Sequence, residues 1–177
     1  MIVLNVGGGC SDMPAKYAQH TVLKLDIDPG TNPDICADAK NMGTLEPRQF
    51  DAVYCSHMLE HFYIHDVPSV LKGMKHVLRV GGFIEVHVPD LLVLAKAMAQ
   101  HEPDDVWYES RSGPITYHDV MYGHGGCIAA GNLFYAHKCG FSAKSLGNAV
   151  FSAGFNKVEV YQVDNGTNLM VYGIKEK

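Results

Sequence analysis

Four groups of residues in this 177-residue chain have the types and spacing to do chemistry. The first is a glycine triplet, Gly7-Gly8-Gly9, that ends the apolar run Ile2-Val3-Leu4-Asn5-Val6. The second is the acid that closes the next apolar run, Val22-Leu23-Lys24-Leu25-Asp26. The third is His57-Met58-Leu59-Glu60-His61, directly after the run Phe50–Cys55. The fourth is the set His118, His124 and His137, in a stretch that also holds Trp107, Tyr108, Tyr117 and Tyr122. A glycine turn after a strand lets a ligand approach the backbone. An acid at the end of the following strand accepts hydrogen bonds from ribose hydroxyls. Together the first two groups predict a pocket for an adenosine-bearing cofactor.

Several cofactors use such a turn. A dinucleotide wants G-x-G-x-x-G, but the third glycine position holds Asp12, with Pro14 two residues on. An acid there repels phosphate. No Gly-Lys-Ser/Thr triplet is present for a phosphate loop. A cationic cofactor without phosphates tolerates the acid, and S-adenosylmethionine (SAM) is such a cofactor. The third group matches H-x-x-E-H, the inverted zinc-protease pattern. On a helix, His57 and His61 would share a face and could share a zinc. However, Phe62-Tyr63-Ile64 lead quickly to a new cap at Asp66, so any helix here is short. The expectation is no resident metal, with Glu60 in a local hydrogen-bonding or capping role.

These groups need elements to hold them. Residues 2–6, 22–26 and 50–55 read as buried strands, with a third short strand around Ile35 in an otherwise irregular span. Residues 14–20 read as a short helix. Asp66 is a plausible N-cap for a helix with Val67, Val70, Leu71, Met74, Val77 and Leu78 on one face, ended by Gly81-Gly82. Residues 83–88 read as the next strand, and Pro89-Asp90 as the start of another helix. Residues 100–140 read as an irregular lid or acceptor-binding region. Ser142 opens a last helix, ended by Gly154. The tail reads strand, Asp164-Asn165-Gly166 turn, strand. The alternation predicts one α/β domain over 1–177. It is Rossmann-like and doubly wound, with a mostly parallel sheet and a C-terminal antiparallel hairpin.

Composition narrows the partners. Net charge is −5, and the 14 Lys and Arg form no basic run, so nucleic acid is an unfavoured partner. Five cysteines without a C-x-x-C pair fit reduced thiols and a cytoplasmic location. The chain starts directly in a strand, with no basic leader, and no apolar stretch is as long as a membrane span. Oligomeric state leaves no mark in the sequence.

Along most of its length the chain resembles the class I SAM-dependent methyltransferases. Val6-Gly7-Gly8-Gly9-Cys10 resembles their first motif and Leu25-Asp26-Ile27-Asp28-Pro29 their second, whose first acid binds ribose. Cys36-Ala37-Asp38-Ala39 resembles the segment that sets an acid near the adenine amino group. Residues 50–61 resemble the motif after strand four, which implies that Ser56 and His57 face the cofactor. Val77-Leu78-Arg79-Val80-Gly81-Gly82-Phe83 resembles the turn before strand five, with Val80 in place of the common proline. Met121–Gly126, Tyr135–Phe141 and Ala153-Gly154-Phe155 resemble a subgroup of small methyltransferases of the type 11-like kind, some in glycan-modification contexts. The resemblance implies SAM bound by Gly7, Gly8, Gly9, Cys10, Asp26, Ile27, Asp38, Ala39, Ser56 and His57. It implies methyl transfer to a small-molecule or glycan acceptor, with His137, His124 and His57 as candidate general bases. The contrasting expectations are an accessory protein that binds cofactor without turnover, and a zinc metallohydrolase using His57, Glu60 and His61. The short span from Gly9 to Val22 leaves little room for a full first helix, which opens the methionine end of the cofactor site.

Overall fold

Short runs of β-branched and aliphatic residues set the central sheet. The computed structural model describes residues 1–9, 13–110 and 113–177. Strands β1 (Ile2–Val6), β2 (Thr21–Asp26), β3 (Ile35–Cys36) and β4 (Phe50–Ser56) are followed by helix α1 (Val67–Val77) and strand β5 (Leu78–Pro89). Then come α2 (Leu91–Met98), β6 (Val106–Ser110), β7 (Gly113–Thr116), α3 (Tyr117–Tyr122) and α4 (Gly125–Ala129). The chain ends with α5 (Ala143–Ser152), β8 (Asn156–Val163) and β9 (Asn168–Ile174).

Seven strands form one sheet in the order β3-β2-β1-β4-β5-β9-β8. The first five are parallel, with Val6 opposite both Leu25 and Cys55. β9 runs antiparallel to β5 and to β8, as the Asn-Gly hairpin signal predicted. Asp164, Asn165 and Gly166 all adopt positive φ in that turn. The strand order reverses at β1, which has β2 on one side and β4 on the other. The crevice beyond the carboxyl ends of β1 and β4 is therefore the topological switch point, where open α/β sheets bind ligands.

The two sheet faces are covered unequally. On one, Leu4, Val6, Val53, Ile84, Val86 and Val171 pack against Val70, Leu71 and Met74 of α1 and against Leu146 and Val150 of α5. On the other, Val3, Tyr17, Ala52 and Tyr54 make a small cluster with Met13, Val22 and Phe83. Among the described residues, its cover between β1 and β2 is a 3-10 turn, Ala15–Tyr17. That turn is held by a buried acid. Glu85 accepts hydrogen bonds from Lys16 Nζ (2.6 Å) and Tyr17 Oη (2.8 Å) at one oxygen, and from His87 Nε2 (2.8 Å) at the other.

Two helix ends differ from expectation. Asp66 precedes α1 but makes no side-chain cap; its carboxylate faces Lys40 and His65 at 3.9 and 3.8 Å. α1 stops at Val77 rather than at Gly81-Gly82, because the chain enters β5 at Leu78. There the Lys175 ammonium, just past the end of β9, donates to the carbonyls of Lys75 and Leu78 (2.8 and 2.7 Å). This closes carbonyls that a helix end leaves open.

The 100–140 region is more ordered than an irregular lid. β6 and β7 form a separate antiparallel hairpin. α3 begins with a reciprocal capping box between Thr116 and Asp119. Leu94, Ile115, Tyr117 and Val120 bury against each other, with Trp107 stacked on Tyr117 at 5.1 Å. This layer carries its own small core, set over the switch-point crevice.

Candidate active site

The glycine loop is shaped by what lies behind it. Gly7 has φ +68 and donates its N–H to the Leu25 carbonyl (2.8 Å). A Cβ there would overlap the Met58 side chain, and one at Gly8 would overlap the Asn5 amide. Gly9, φ +50, faces open space. The loop is pinned across the pocket by Asp26. This carboxylate, 8% exposed, accepts from Gly9 N–H and from Asp28 N–H, each at 3.0 Å. Lys24 Nζ adds a bond to the Gly9 carbonyl (3.1 Å) and one to the Thr31 carbonyl. Asn5 Oδ1 is buried without a hydrogen-bond partner among the described residues.

A cavity of 590 Å³ opens from this loop. Of the residues expected at the cofactor, Gly7, Gly8, Gly9, Asp26, Ile27, Asp38, Ala39, Ser56 and His57 all line it. Cys10, and the Asp12 used to weigh against a dinucleotide, lie outside the described residues. Asp38 also caps the turn that follows, accepting from Lys40 N–H at 2.9 Å. Asp28 is a turn residue, accepting from Gly30 N–H. The far wall comes from the 100–140 region, with Trp107, Tyr108, Phe134 and Tyr135 beside His124 and His137.

The candidate bases differ in their surroundings. His124 Nδ1 accepts from Cys127 N–H (3.2 Å) and so caps α4. His137 Nδ1 faces the Val120 carbonyl (2.9 Å), and burial pushes its pKa down. His57 sits at φ +50 with a side chain 45% exposed. Burial works to lower its pKa, but the Glu60 carboxylate, with Oε1 at 3.4 Å from His57 Nδ1, outweighs this and raises it.

The metallohydrolase geometry is not formed. Only Leu59–His61 make a single 3-10 turn, so His57 and His61 do not share a helix face. Instead His61 Nε2 meets the His57 backbone carbonyl at 3.1 Å. Glu60, assigned from sequence to a local role, is the most buried acid of the site at 1% exposure. Burial works to raise its pKa, while His57, His61 and His137 together hold it below the ordinary range. Sequence spacing missed Lys24 and Asn5 as loop supports. The signal was present: both sit on the alternate face of their strands, where an apolar residue would be ordinary.

Residues 4–86 match the family described as a methyltransferase domain. The strand order and the match over these residues give the chain the Rossmann-like fold of the class I methyltransferases. No protein of curated function matches its sequence. Solved structures share the fold over nearly its whole length. A SAM-dependent methyltransferase from Archaeoglobus fulgidus superposes with a TM-score of 0.63 at 13% identity, covering 98% of this chain and 86% of that one. The 1,6-didemethyltoxoflavin-N1-methyltransferase of Burkholderia thailandensis, with its substrate and S-adenosylhomocysteine, superposes at 0.62 and 14%, covering 99% and 71%. PigF with S-adenosylhomocysteine superposes with a TM-score of 0.60 at 13% identity, covering 98% of this chain, which spans only 56% of the length of PigF. At these identities the likeness is one of fold.

Proposed function

We propose that the protein transfers the methyl group of SAM to a small-molecule or glycan acceptor, and that its 177 residues act as one domain. The observation that carries this is a single cavity joining the glycine loop and Asp26 to the aromatic and histidine wall of the 100–140 region. The site fits the cofactor in two further ways. The loop leaves no side chain over Gly9, so a ligand can lie against the backbone. Asp26 keeps free acceptor capacity for ribose hydroxyls, and Asp38 stands at the adenine end. The structural neighbours with S-adenosylhomocysteine in this fold support the same assignment.

The sulfonium already activates the methyl group. The protein's task is to align a nucleophile with the methyl–sulfur bond and exclude water. Trp107, Tyr108, Phe134 and Tyr135 supply flat apolar surface for a ring or a sugar face. His137 and His57 line the cavity and can take a proton where the acceptor must lose one. Four described cysteines are free thiols, in keeping with a cytoplasmic location. Among the described residues no helix is long and apolar enough to cross a membrane.

Calorimetry with SAM tests the cofactor assignment. Asp26→Ala removes both the ribose acceptor and the tie to Gly9, so affinity should fall at least tenfold while the circular dichroism spectrum is kept. Unchanged affinity, or no heat with folded wild-type protein at millimolar SAM, refutes it. Label transfer from methyl-labelled SAM to cell extract then separates turnover from binding alone.

A further inference from the structure

Glu60 poses an unsolved problem of charge. It is 1% exposed, and neither carboxylate oxygen has a hydrogen-bond partner among the described residues. His57 Nδ1, at 3.4 Å from Oε1, lies within ion-pair distance without hydrogen-bond geometry. A buried acid left in this state costs several kcal/mol unless a cation meets it. Two imidazoles converge on the same point. One nitrogen each of His61 and His137 and one oxygen of Glu60 lie within 4.8 Å of one another.

The backbone around the imidazoles suits ligation. His137 Nδ1 faces the Val120 carbonyl at 2.9 Å, which fixes the tautomer that leaves a lone pair on Nε2. Metal-bound histidines commonly donate their second nitrogen to a carbonyl in this way. His61 has a carbonyl at each nitrogen, Ala136 at 3.2 Å and His57 at 3.1 Å. A neutral ring donates to only one of them, so ligation through the other nitrogen requires the ring to turn that lone pair away from its carbonyl. In a tetrahedral zinc site neighbouring ligand atoms sit roughly 3.3 Å apart. Closing from 4.8 Å takes side-chain rotations of about 1.5 Å.

We propose that Glu60, His61 and His137 form a binding site for one divalent transition metal, zinc or a close relative, in the wall of the acceptor cavity. Two imidazoles and a carboxylate are the ligand set for such ions, and three protein ligands leave a position open. His61 and His137 line the same cavity as the glycine loop. Resting on the methyl-transfer reading, the site names an acceptor class: a hydroxyl whose oxygen can reach the ion and whose pKa it lowers. The acceptor proton leaves to solvent. The oxygen–methyl bond forms as the methyl–sulfur bond breaks, and sulfur keeps the electron pair as a neutral thioether. This replaces the expectation of no metal, with His137 taking the place that spacing offered to His57.

The test is calorimetric titration of zinc and cobalt(II) into chelator-stripped full-length protein, with cobalt absorption as a second readout. One equivalent per chain should bind, with the intense visible bands of a four- or five-coordinate ion. His137→Ala and Glu60→Gln should each weaken binding by at least tenfold. If Glu60→Gln does not fold, His137→Ala carries the comparison, since its ring reaches in from the 100–140 region. Binding well below one equivalent, or unchanged in the folded variants, overturns the site. SAM titrated into the same stripped protein keeps the two readings apart. Protein that binds SAM but takes up no metal loses only the metal site, and protein that takes up metal but does not bind SAM loses only the methyl-transfer reading.

Discussion

Replacing Glu85 with Gln should destabilise the fold and blunt its sensitivity to acid. Glu85 is 5% exposed and receives three hydrogen bonds, from Lys16, Tyr17 and His87. Burial works to raise its pKa, but His87, Lys16 and Tyr17 outweigh it and bring the carboxyl from an ordinary 4.5 to about 2. The folded state therefore holds the carboxylate more tightly than the unfolded chain does. That stability is fully present above about pH 4.5 and is lost as pH falls through about 2. At about 1.4 kcal/mol per pH unit the gap is worth roughly 3 kcal/mol. The Lys16 side chain is 57% exposed, so its share is screened by solvent, and about 2 kcal/mol is the expected loss in Glu85→Gln at pH 7. For a chain this size that lowers Tm by about 4–8 °C. Urea unfolding of both proteins between pH 7 and pH 2.5 checks it. The difference should be constant to about pH 5 and then shrink, because acid removes from wild type what the variant already lacks. Equal stability at pH 7, or a gap that persists undiminished at pH 2.5, refutes the argument.

Two further outcomes follow from the same structure. Lys175→Met strips the donor from the Lys75 and Leu78 carbonyls at the end of α1 and should cost about 1–3 kcal/mol by urea denaturation, while the near-isosteric Lys175→Arg should cost less. Gly8→Ala drives a methyl group into the Asn5 amide under the loop, so SAM affinity should fall by at least tenfold, with Tm lowered by only a few degrees; calorimetry and a thermal melt separate the two effects.

What was legible in the sequence was the part set by short-range rules. β1, β2, β4 and the C-terminal hairpin each follow from an apolar run bounded by glycine, acid or Asn-Gly, and each lies within a residue or two of its expected place. The placement of the glycine loop and Asp26 was legible for the same reason: both sit at strand ends, and both line the cavity there. α1 ran short of its expected end because a residue one hundred positions away, Lys175, closes its last turn. The 100–140 region looked irregular because its order comes from contacts of a similar kind. Trp107 stacks on Tyr117, and Leu94 of α2 buries against Val120 of α3, pairings that no local period announces. Glu60 and His137 are 77 positions apart in the chain, and only the fold reveals that they converge.

The two sheet faces divide stability from access. α1 and α5 cover one face, and the main core there also takes in Met58 and Leu59 from the loop after β4. Among the described residues between β1 and β2 the other face carries a 3-10 turn, Ala15–Tyr17, and Glu85 ties that turn to β5. A buried carboxylate that gathers Lys16, Tyr17 and His87 fixes the turn at residues 15–17 against β5. Two acids act on the described residues either side, Asp26 on Gly9 and Glu85 on the turn at residues 15–17. Loss of each should act by a different route. Asp26→Ala acts directly and at every pH at which the acid is ionised. Glu85→Gln acts through the fold, and its effect fades as wild type is acidified.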